Sequence, residues 1–169
     1  MTALKDTAVP VPQTYGLCED EDVIGTSFFV MDFLDGDIYW DLLLEDKSLE
    51  ERKAIYKSKN QVIAELHKVD YTAVGLGDYG KPGNYIARQV SRWTKQYLAS
   101  ETETILAMNN LIDWLPANIP DEDETSIVHG DYRLDNMVFG KDNRVMGVLD
   151  WELSTLGHPI ADFNYHCMS

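Results

Sequence analysis

Apolar residues recur along the chain in two different patterns, one typical of strands and one typical of helices, and the order of these patterns predicts the fold. Residues 15–18 are a short possible strand, and residues 26–34 are rich in β-branched and aromatic side chains, which are typical of strands. The pair Asp35-Gly36 follows the second run and is a turn signal. We therefore predict a β-hairpin over residues 15–34.

The middle of the chain has the spacing of helices. Ser48 and Glu51 stand three residues apart, as in a capping box that satisfies the first amides of a helix. The apolar residues that follow at helical steps are Ile55, Val62, Ile63, Leu66 and Val69. A glycine-rich loop over residues 75–84 precedes two more helices, predicted at residues 85–99 and 103–115. Their large aromatic side chains are predicted to be core residues: Trp93, Tyr97 and Trp114.

Strand-like runs return after residue 125. Residues 126–129 form a short apolar run, and residues 137–139 and 145–149 flank a turn-like segment at 140–143. The last two runs predict a small hairpin. Two strands, a block of helices and a short hairpin together predict an α+β fold.

Composition narrows the possible partners. The chain has 169 residues and a net charge of −15, which disfavours nucleic acid or an anionic membrane as partner, because both need a basic surface. Its two cysteines, Cys18 and Cys167, have no zinc or disulfide spacing. No apolar run approaches the ~18 residues of a membrane span, and residues 1–6 lack the apolar stretch of a secretory signal. We expect a cytoplasmic protein that acts on small molecules, and its oligomeric state is not predicted.

The most informative segment is HGDYRLDN at residues 129–136, followed by Asp150 after the next apolar runs. A carboxylate such as Asp131 can orient an acceptor hydroxyl and take its proton. Asn136 and Asp150 offer the hard oxygen ligands that Mg²⁺ prefers, and Arg133 offers a guanidinium for a phosphate. The pattern favours phosphoryl transfer from a nucleoside triphosphate.

Each of these residues also has a plainer interpretation. Asp131, Asn136 and Asp150 have the residue types that cap loops and turns. Arg133 is equally consistent with a surface ion pair. His129 is better explained as a buried residue that organises the loop than as a base or a metal ligand.

The loop, the hairpin and Asp150-Trp151 together resemble the aminoglycoside-phosphotransferase and choline-kinase branch of the protein-kinase-like fold. The longer string over residues 129–163 is most similar to phosphotransferase domains associated with acyl-CoA dehydrogenases. The resemblance implies ATP and Mg²⁺ as cofactors and a small-molecule hydroxyl as acceptor. It implies that Asp131 is the catalytic base, that Asn136 and Asp150 bind the metal, and that Trp151 stands where the kinase DFG motif has Phe.

Residues 28–36 resemble the last strand of a kinase N-lobe and the hinge that follows it. By that resemblance the carbonyl of Asp32 and the amide of Leu34 bind the adenine. Met31 is then the gatekeeper at the back of the nucleotide pocket.

Residues 157–162 resemble the segment that follows the metal-binding acid in the family. The resemblance implies that Asp162 supports the catalytic loop through hydrogen bonds, with His129 in a similar supporting role. It also divides the chain into an N-lobe remnant with the hinge, residues 1–36, and a C-lobe, residues 37–169.

The family pattern is incomplete in this chain. Complete members begin with a glycine-rich strand pair, a lysine and a helix with a paired Glu, but only fourteen residues precede the first predicted strand here. Their only lysine, Lys5, lies in a Pro-bounded lead-in. We therefore expect a truncated chain, and a non-catalytic kinase-like module stays as an alternative function. A metal-dependent hydrolase that uses the same acids is a third possibility.

Overall fold

The computed structural model describes residues 1–121 and 124–168, so Glu122, Asp123 and Ser169 of the predicted C-lobe lie outside the described residues. The strands are β1 (Thr14–Cys18), β2 (Phe28–Met31), β3 (Ser126–Val128), β4 (Met137–Phe139), β5 (Val145–Val148) and β6 (Thr155–Gly157). The longer helices are α1 (Leu49–Lys68), α2 (Tyr85–Ser100), α3 (Leu106–Ala117) and α4 (Pro159–Cys167). Three antiparallel strand pairs, β1–β2, β3–β6 and β4–β5, complete the architecture.

The predicted N-terminal hairpin is confirmed. β1 and β2 pair antiparallel, with Cys18 opposite Phe28 and Thr14 opposite Met31. β2 is shorter than the apolar run that predicted it, because it ends at Met31. The chain after it crosses to the C-terminal half, where Asp37 and Phe139 exchange two backbone hydrogen bonds of 2.8 Å.

Helix α1 is the central helix of the core. Its predicted capping box is present: the Ser48 hydroxyl accepts from the Glu51 amide at 3.3 Å, and the Glu51 carboxylate accepts from the Ser48 amide at 2.8 Å. The helix packs its apolar stripe against β3 and β5. The buried apolar members of this stripe are Ile55, Val62, Ile63 and Leu66, each of which stabilises the fold by about 1.5–3 kcal/mol.

Helices α2 and α3 form, but the prediction that their aromatic residues are core residues is wrong for both tryptophans. Trp93 is 56% exposed and Trp114 is 57% exposed, whereas Tyr97 is half-buried. The two helices pack against each other, and together with the start of α4 they line a cavity of about 390 Å³. No residue of either helix is fully buried, because the described part of the chain provides no element that covers their outer faces.

The C-terminal half contains the predicted hairpin and two elements that were not predicted. β4 and β5 form the hairpin, while β6 pairs with β3 and α4 follows it. The N-terminal segment before β1 also packs against this half of the chain. The Val148 amide donates to the Pro10 carbonyl at 2.9 Å, and Leu4 and Val9 are buried.

Two simpler features complete the description. Within the described ranges, no helix combines the length and apolar character needed to cross a membrane. Cys18 and Cys167 are both free thiols, as their separation in the sequence predicts.

Candidate active site

The structure brings Asp131 and Asn136 into contact. β3 ends at Val128, and a short 3₁₀ turn at Leu134–Asn136 leads into β4. The Asn136 side-chain nitrogen donates to the Asp131 carbonyl at 2.8 Å and to the Asp131 carboxylate at 2.9 Å. The side-chain nitrogen of Asn136 is hydrogen-bonded to Asp131. The Oδ1 oxygen of Asn136 is therefore the atom that could bind a cation.

Asp150 lies at the same end of the β4–β5 hairpin. The Leu149 amide donates to the Asn136 carbonyl at 2.9 Å, next to the Met137–Val148 strand pair. Asp150 itself has φ 60° and ψ 60°, a left-handed conformation that Asp tolerates better than most residues. Unusual backbone of this kind is often found at functional sites.

His129 connects the loop that carries Asp131 to the segment that leads into Asp150. It is fully buried, and its Nδ1 accepts a hydrogen bond from the Asp131 amide at 3.2 Å. Since Nδ1 accepts, Nε2 carries the proton and donates to the Leu149 carbonyl at 2.8 Å. Burial lowers the pKa of His129, so the ring is neutral and holds the loops together instead of acting as base or ligand.

Asp162, on α4, holds the start of the loop that carries Asp131. Its carboxylate is buried and accepts from the amides of His129 at 2.6 Å and Gly130 at 2.8 Å. The His67 ring on α1 reaches the same carboxylate at 3.4 Å. The supporting contact that the resemblance implied for Asp162 is therefore present in the structure.

Gly130 is needed for the shape of this loop. Its φ is +86°, and a Cβ at this position would lie 2.6 Å from the Leu153 carbonyl oxygen. Both the left-handed backbone and the close approach of another chain segment exclude a side chain here.

Arg133 forms an ion pair with Asp135. Its Nε donates to the Asp135 carboxylate at 2.9 Å, and a second nitrogen completes a bidentate ion pair. This pair raises the pKa of the guanidinium further above its usual range. The ion pair fits the plainer interpretation of Arg133, and a role at a phosphate stays a prediction.

Tyr165 on α4 is a site residue that the sequence did not reveal. Interaction with the Asp131 side chain is the main reason why the pKa of its phenol is raised, whereas Arg133 lowers this pKa. The residue lies three positions after Asp162 on the same helix. That spacing is a weak signal without the fold.

The residues predicted to form the hinge lie along β5 and the N-terminal lead-in. Asp32 donates its amide to the Gln13 carbonyl at 2.8 Å, and its carboxylate accepts from the Tyr15 hydroxyl at 2.5 Å. The Leu34 side chain covers Gly147 so closely that this glycine has no room for a Cβ. Met31 ends β2 and is 37% exposed. The adenine contacts of these residues stay predictions.

The donor set fits Mg²⁺ better than a soft metal. In residues 1–121 and 124–168, no group of three or more His, Cys, Asp or Glu side chains is arranged to hold a metal. A cation near Asp131 would have one amide oxygen and one or two carboxylates from the protein. Mg²⁺ is usually bound in this way, with water and phosphate as its other ligands.

The geometry agrees with what the chain is similar to. All 169 residues match a family model described as the phosphotransferase enzyme family. The chain belongs to this family. The predicted resemblance is thus confirmed, and the catalytic role of the loop that carries Asp131 stays a prediction.

Relatives of this phosphotransferase-family chain are longer proteins. Mouse acyl-CoA dehydrogenase family member 10 is 49% identical over 170 residues, which is 100% of this chain and 16% of the mouse protein. A Ralstonia eutropha protein assigned to the aminoglycoside phosphotransferases has a solved structure with 62% identity and a TM-score of 0.94. The match covers 98% of this chain and 51% of that one. The chain therefore spans about half of the solved relative and about a sixth of the mouse protein.

More distant structures share the fold. A thermostable mutant of aminoglycoside phosphotransferase APH(4)-Ia, solved as a ternary complex with ADP and hygromycin B, is 14% identical. It matches 97% of this chain with a TM-score of 0.70. The protein-kinase-like α+β fold predicted from the sequence is thus confirmed.

Proposed function

We propose that this chain carries the hinge, base and metal ligands of an ATP- and Mg²⁺-dependent small-molecule kinase. The reaction is transfer of the γ-phosphate to an alcohol. The observation that carries the proposal is the bond from the Asn136 side chain to the Asp131 carboxylate, 2.9 Å, beside the Asn136–Leu149 backbone bond that brings Asp150 near. A base and two oxygen ligands at one loop end are the parts that phosphoryl transfer needs.

Asp131 acts as the base. Its carboxylate is held by Asn136, and its amide is held by His129, so the oxygen has a fixed direction. The Asp131 carboxylate accepts a hydrogen bond from the acceptor hydroxyl. It takes the hydroxyl proton as the hydroxyl oxygen attacks the γ-phosphorus of ATP and ADP leaves. Fixed geometry of this kind lowers the entropic cost of the reaction.

Asn136 and Asp150 bind the cation. When bound, Mg²⁺ neutralises the phosphate charge that develops during transfer. The neutral His129 adds no positive charge beneath these ligands. Its two hydrogen bonds instead keep Leu149, and hence the start of the Asp150 turn, at a fixed distance from Asp131.

The hinge binds the adenine through the Asp32 carbonyl and the Leu34 amide, with Met31 at the back of the pocket. The position of Leu34 against Gly147 supports this role, because it joins the hinge to the strand that leads to Asp150. The ADP complex of the distant phosphotransferase described above supports nucleotide binding by the shared fold. Arg133 then contacts a phosphate or the acceptor.

A non-catalytic module is the second candidate. The chain spans about half of its solved relative, and a kinase-like module can serve in binding without phosphoryl transfer. The two candidates differ in their response to nucleotide. A kinase site binds ATP in a Mg²⁺-dependent way and transfers its phosphate, whereas a remnant does neither.

The test combines calorimetry and product analysis on the intact protein. We expect Mg²⁺-dependent ATP binding by the wild type and by Asp131→Asn, and transfer to a panel of alcohols that Asp131→Asn lowers by about 10²–10⁴-fold. Asp113→Asn, a change of the same chemistry on the exposed side of α3, should leave both unchanged. Wild-type turnover in Asp131→Asn overturns the base assignment, and absence of Mg²⁺-dependent binding in the wild type favours the module.

A further inference from the structure

Tyr79 makes a long-range contact that the proposed function has not used. It lies in the glycine-rich loop between α1 and α2, and its side chain is 43% exposed. Its hydroxyl oxygen is 2.5 Å from the Ser154 Oγ, which lies 75 residues further along the chain. A ring that stays nearly half in water gains little from burial. The hydrogen bond to Ser154 is therefore the contact that directs the Tyr79 side chain.

The direction of this hydrogen bond follows from the protons that are available. The Ser154 hydroxyl has one proton, and it donates that proton to the Trp151 carbonyl. The Tyr79 hydroxyl is therefore the donor to the Ser154 Oγ, which accepts through a lone pair. The Ser154 amide donates to the same Trp151 carbonyl at 3.0 Å. Through Ser154, Tyr79 is thus joined to the 3₁₀ turn at Trp151–Leu153, which directly follows Asp150.

The next residue of the loop, Gly80, approaches the same segment so closely that no side chain would fit. A Cβ on Gly80 would lie 2.5 Å from the Thr155 Oγ1 and 2.7 Å from the Leu156 amide nitrogen. The loop is itself held here, because the Tyr79 amide donates to the Leu76 carbonyl at 3.1 Å and the Leu76 side chain packs against the core. Two successive loop residues therefore contact the chain that leads into β6.

The same 3₁₀ turn also packs against the buried His129. The centres of the Trp151 and His129 rings are 4.8 Å apart, and the Trp151 indole nitrogen donates to the Val148 carbonyl at 2.9 Å. Towards the glycine-rich loop, by contrast, Trp151 and Ser154 border a cavity of about 280 Å³. Apolar packing is incomplete on that side of the turn, so the Tyr79 hydroxyl supplies a directional contact there.

We propose that Tyr79 is a positioning residue of the proposed metal site: its hydroxyl, through Ser154, fixes the turn that sets the direction of the Asp150 carboxylate. Asp150 has a left-handed backbone, and such a conformation persists only where the surrounding contacts hold it. The structural part of this inference stands by itself. Its effect on Mg²⁺ rests on the proposed kinase function.

The first test follows the turn by NMR in the intact protein without nucleotide. The Trp151 indole proton is hydrogen-bonded, whereas the chain's other three tryptophans are each more than half exposed. Tyr79→Phe should shift the Asp150 amide signal and speed exchange of the Trp151 indole proton by about two- to tenfold, as expected for the loss of one hydrogen bond. Ser154→Ala should speed this exchange at least as much, and Tyr79→Phe should add nothing further in that background.

A matched control is available on α1. The Tyr56 hydroxyl donates to a carbonyl that precedes the helix, at 2.6 Å. Tyr56→Phe therefore removes a comparable hydrogen bond away from the Asp150 turn. It should leave the Asp150 signal and the Trp151 exchange rate at their wild-type values.

The second test measures Mg²⁺-dependent binding of ADP by calorimetry. Tyr79→Phe should raise the Mg²⁺ concentration for the half-maximal effect by about two- to tenfold. It should leave the affinity for ADP without Mg²⁺ unchanged, because the turn and not the hinge is released. Tyr56→Phe should match the wild type in both measurements.

Either an unchanged Trp151 exchange rate or an unchanged Mg²⁺ midpoint in folded Tyr79→Phe overturns the proposal. Absence of Mg²⁺-dependent binding in the wild type overturns the kinase function instead. The Trp151 exchange rate then still decides whether Tyr79 holds the turn.

Discussion

The α1–catalytic-loop region and the α2–α3 pair differ in how their apolar residues are used. In the first region, α1, β3 and the β4–β5 hairpin bury the largest apolar side chains, with Phe139 and Leu134 0% exposed. In the second, both tryptophans are more than half exposed and no residue is fully buried. Both regions have helical periodicity, so periodicity alone does not measure burial.

Burial and long-range hydrogen bonds are concentrated where the proposed chemistry occurs. The loops that carry Asp131 and Asp150 are joined by His129, and Asp162 fixes the loop's first amides. Each bond is made by a buried group, and buried hydrogen bonds cost the most when one partner is lost. We therefore expect substitutions in the two regions to have very different effects on stability.

The largest contrast is between two aromatic truncations. Phe139→Ala should lower the free energy of unfolding by about 3–5 kcal/mol, because it leaves a cavity in a region that cannot collapse. Trp114→Ala on α3 should lower it by about 1 kcal/mol, since much of that side chain is already in water. Urea unfolding of both variants measures the two values. Equal losses would contradict the contrast between the regions.

A smaller effect is expected from an isosteric change in the support of the loop. Asp162→Asn replaces one accepting oxygen with an NH₂ group that faces a backbone donor, and it should cost about 1–3 kcal/mol. Hydrogen exchange at the His129 and Gly130 amides should increase in parallel. Asp113→Asn, on exposed α3, is the control and should change the stability by less than about 0.5 kcal/mol. Unchanged protection of both loop amides would show that Asp162 does not hold them.

Lys59→Met, at a fully buried position of α1, should have a modest effect on stability, with the opposite sign. The pKa of Lys59 is lowered to about 8 in the folded chain, so between about pH 8 and 10.5 the unfolded chain binds more protons and wild-type stability rises with pH. The desolvation cost is fully present below pH 8. Lys59→Met removes it and should stabilise the chain by about 1–2 kcal/mol at pH 7, with a gain that shrinks towards pH 10. Urea unfolding at both pH values measures it, and a less stable variant at pH 7 would contradict the buried charge.

Local signals made part of the fold predictable. Ser48 and Glu51 define the start of α1 through contacts three residues apart. The catalytic loop was found because its acid and amide lie five residues apart. A β-hairpin with a short turn then brings the second acid near.

Other features depend on distant partners and were missed for that reason. β6 is only three residues long and exists because β3 pairs with it from nearly thirty residues away. Tyr165 approaches Asp131 only after α4 folds across the loop. Lys59 did leave a signal: a lysine four residues from Ile55 and from Ile63 interrupts the apolar stripe. Its burial could have been predicted from that position.

The most direct test of the proposed metal site replaces Mg²⁺ with paramagnetic Mn²⁺ in the presence of ADP and follows the NMR signals of the chain. We predict that the Asn136 side-chain amide and the Asp150 backbone amide broaden first, at substoichiometric Mn²⁺, and that Asp150→Asn abolishes the effect. The acidic turn at residues 19–22 is the internal control for non-specific binding. Broadening at residues 19–22 with sharp Asn136 and Asp150 signals would contradict the metal site and, with it, the proposed phosphoryl transfer.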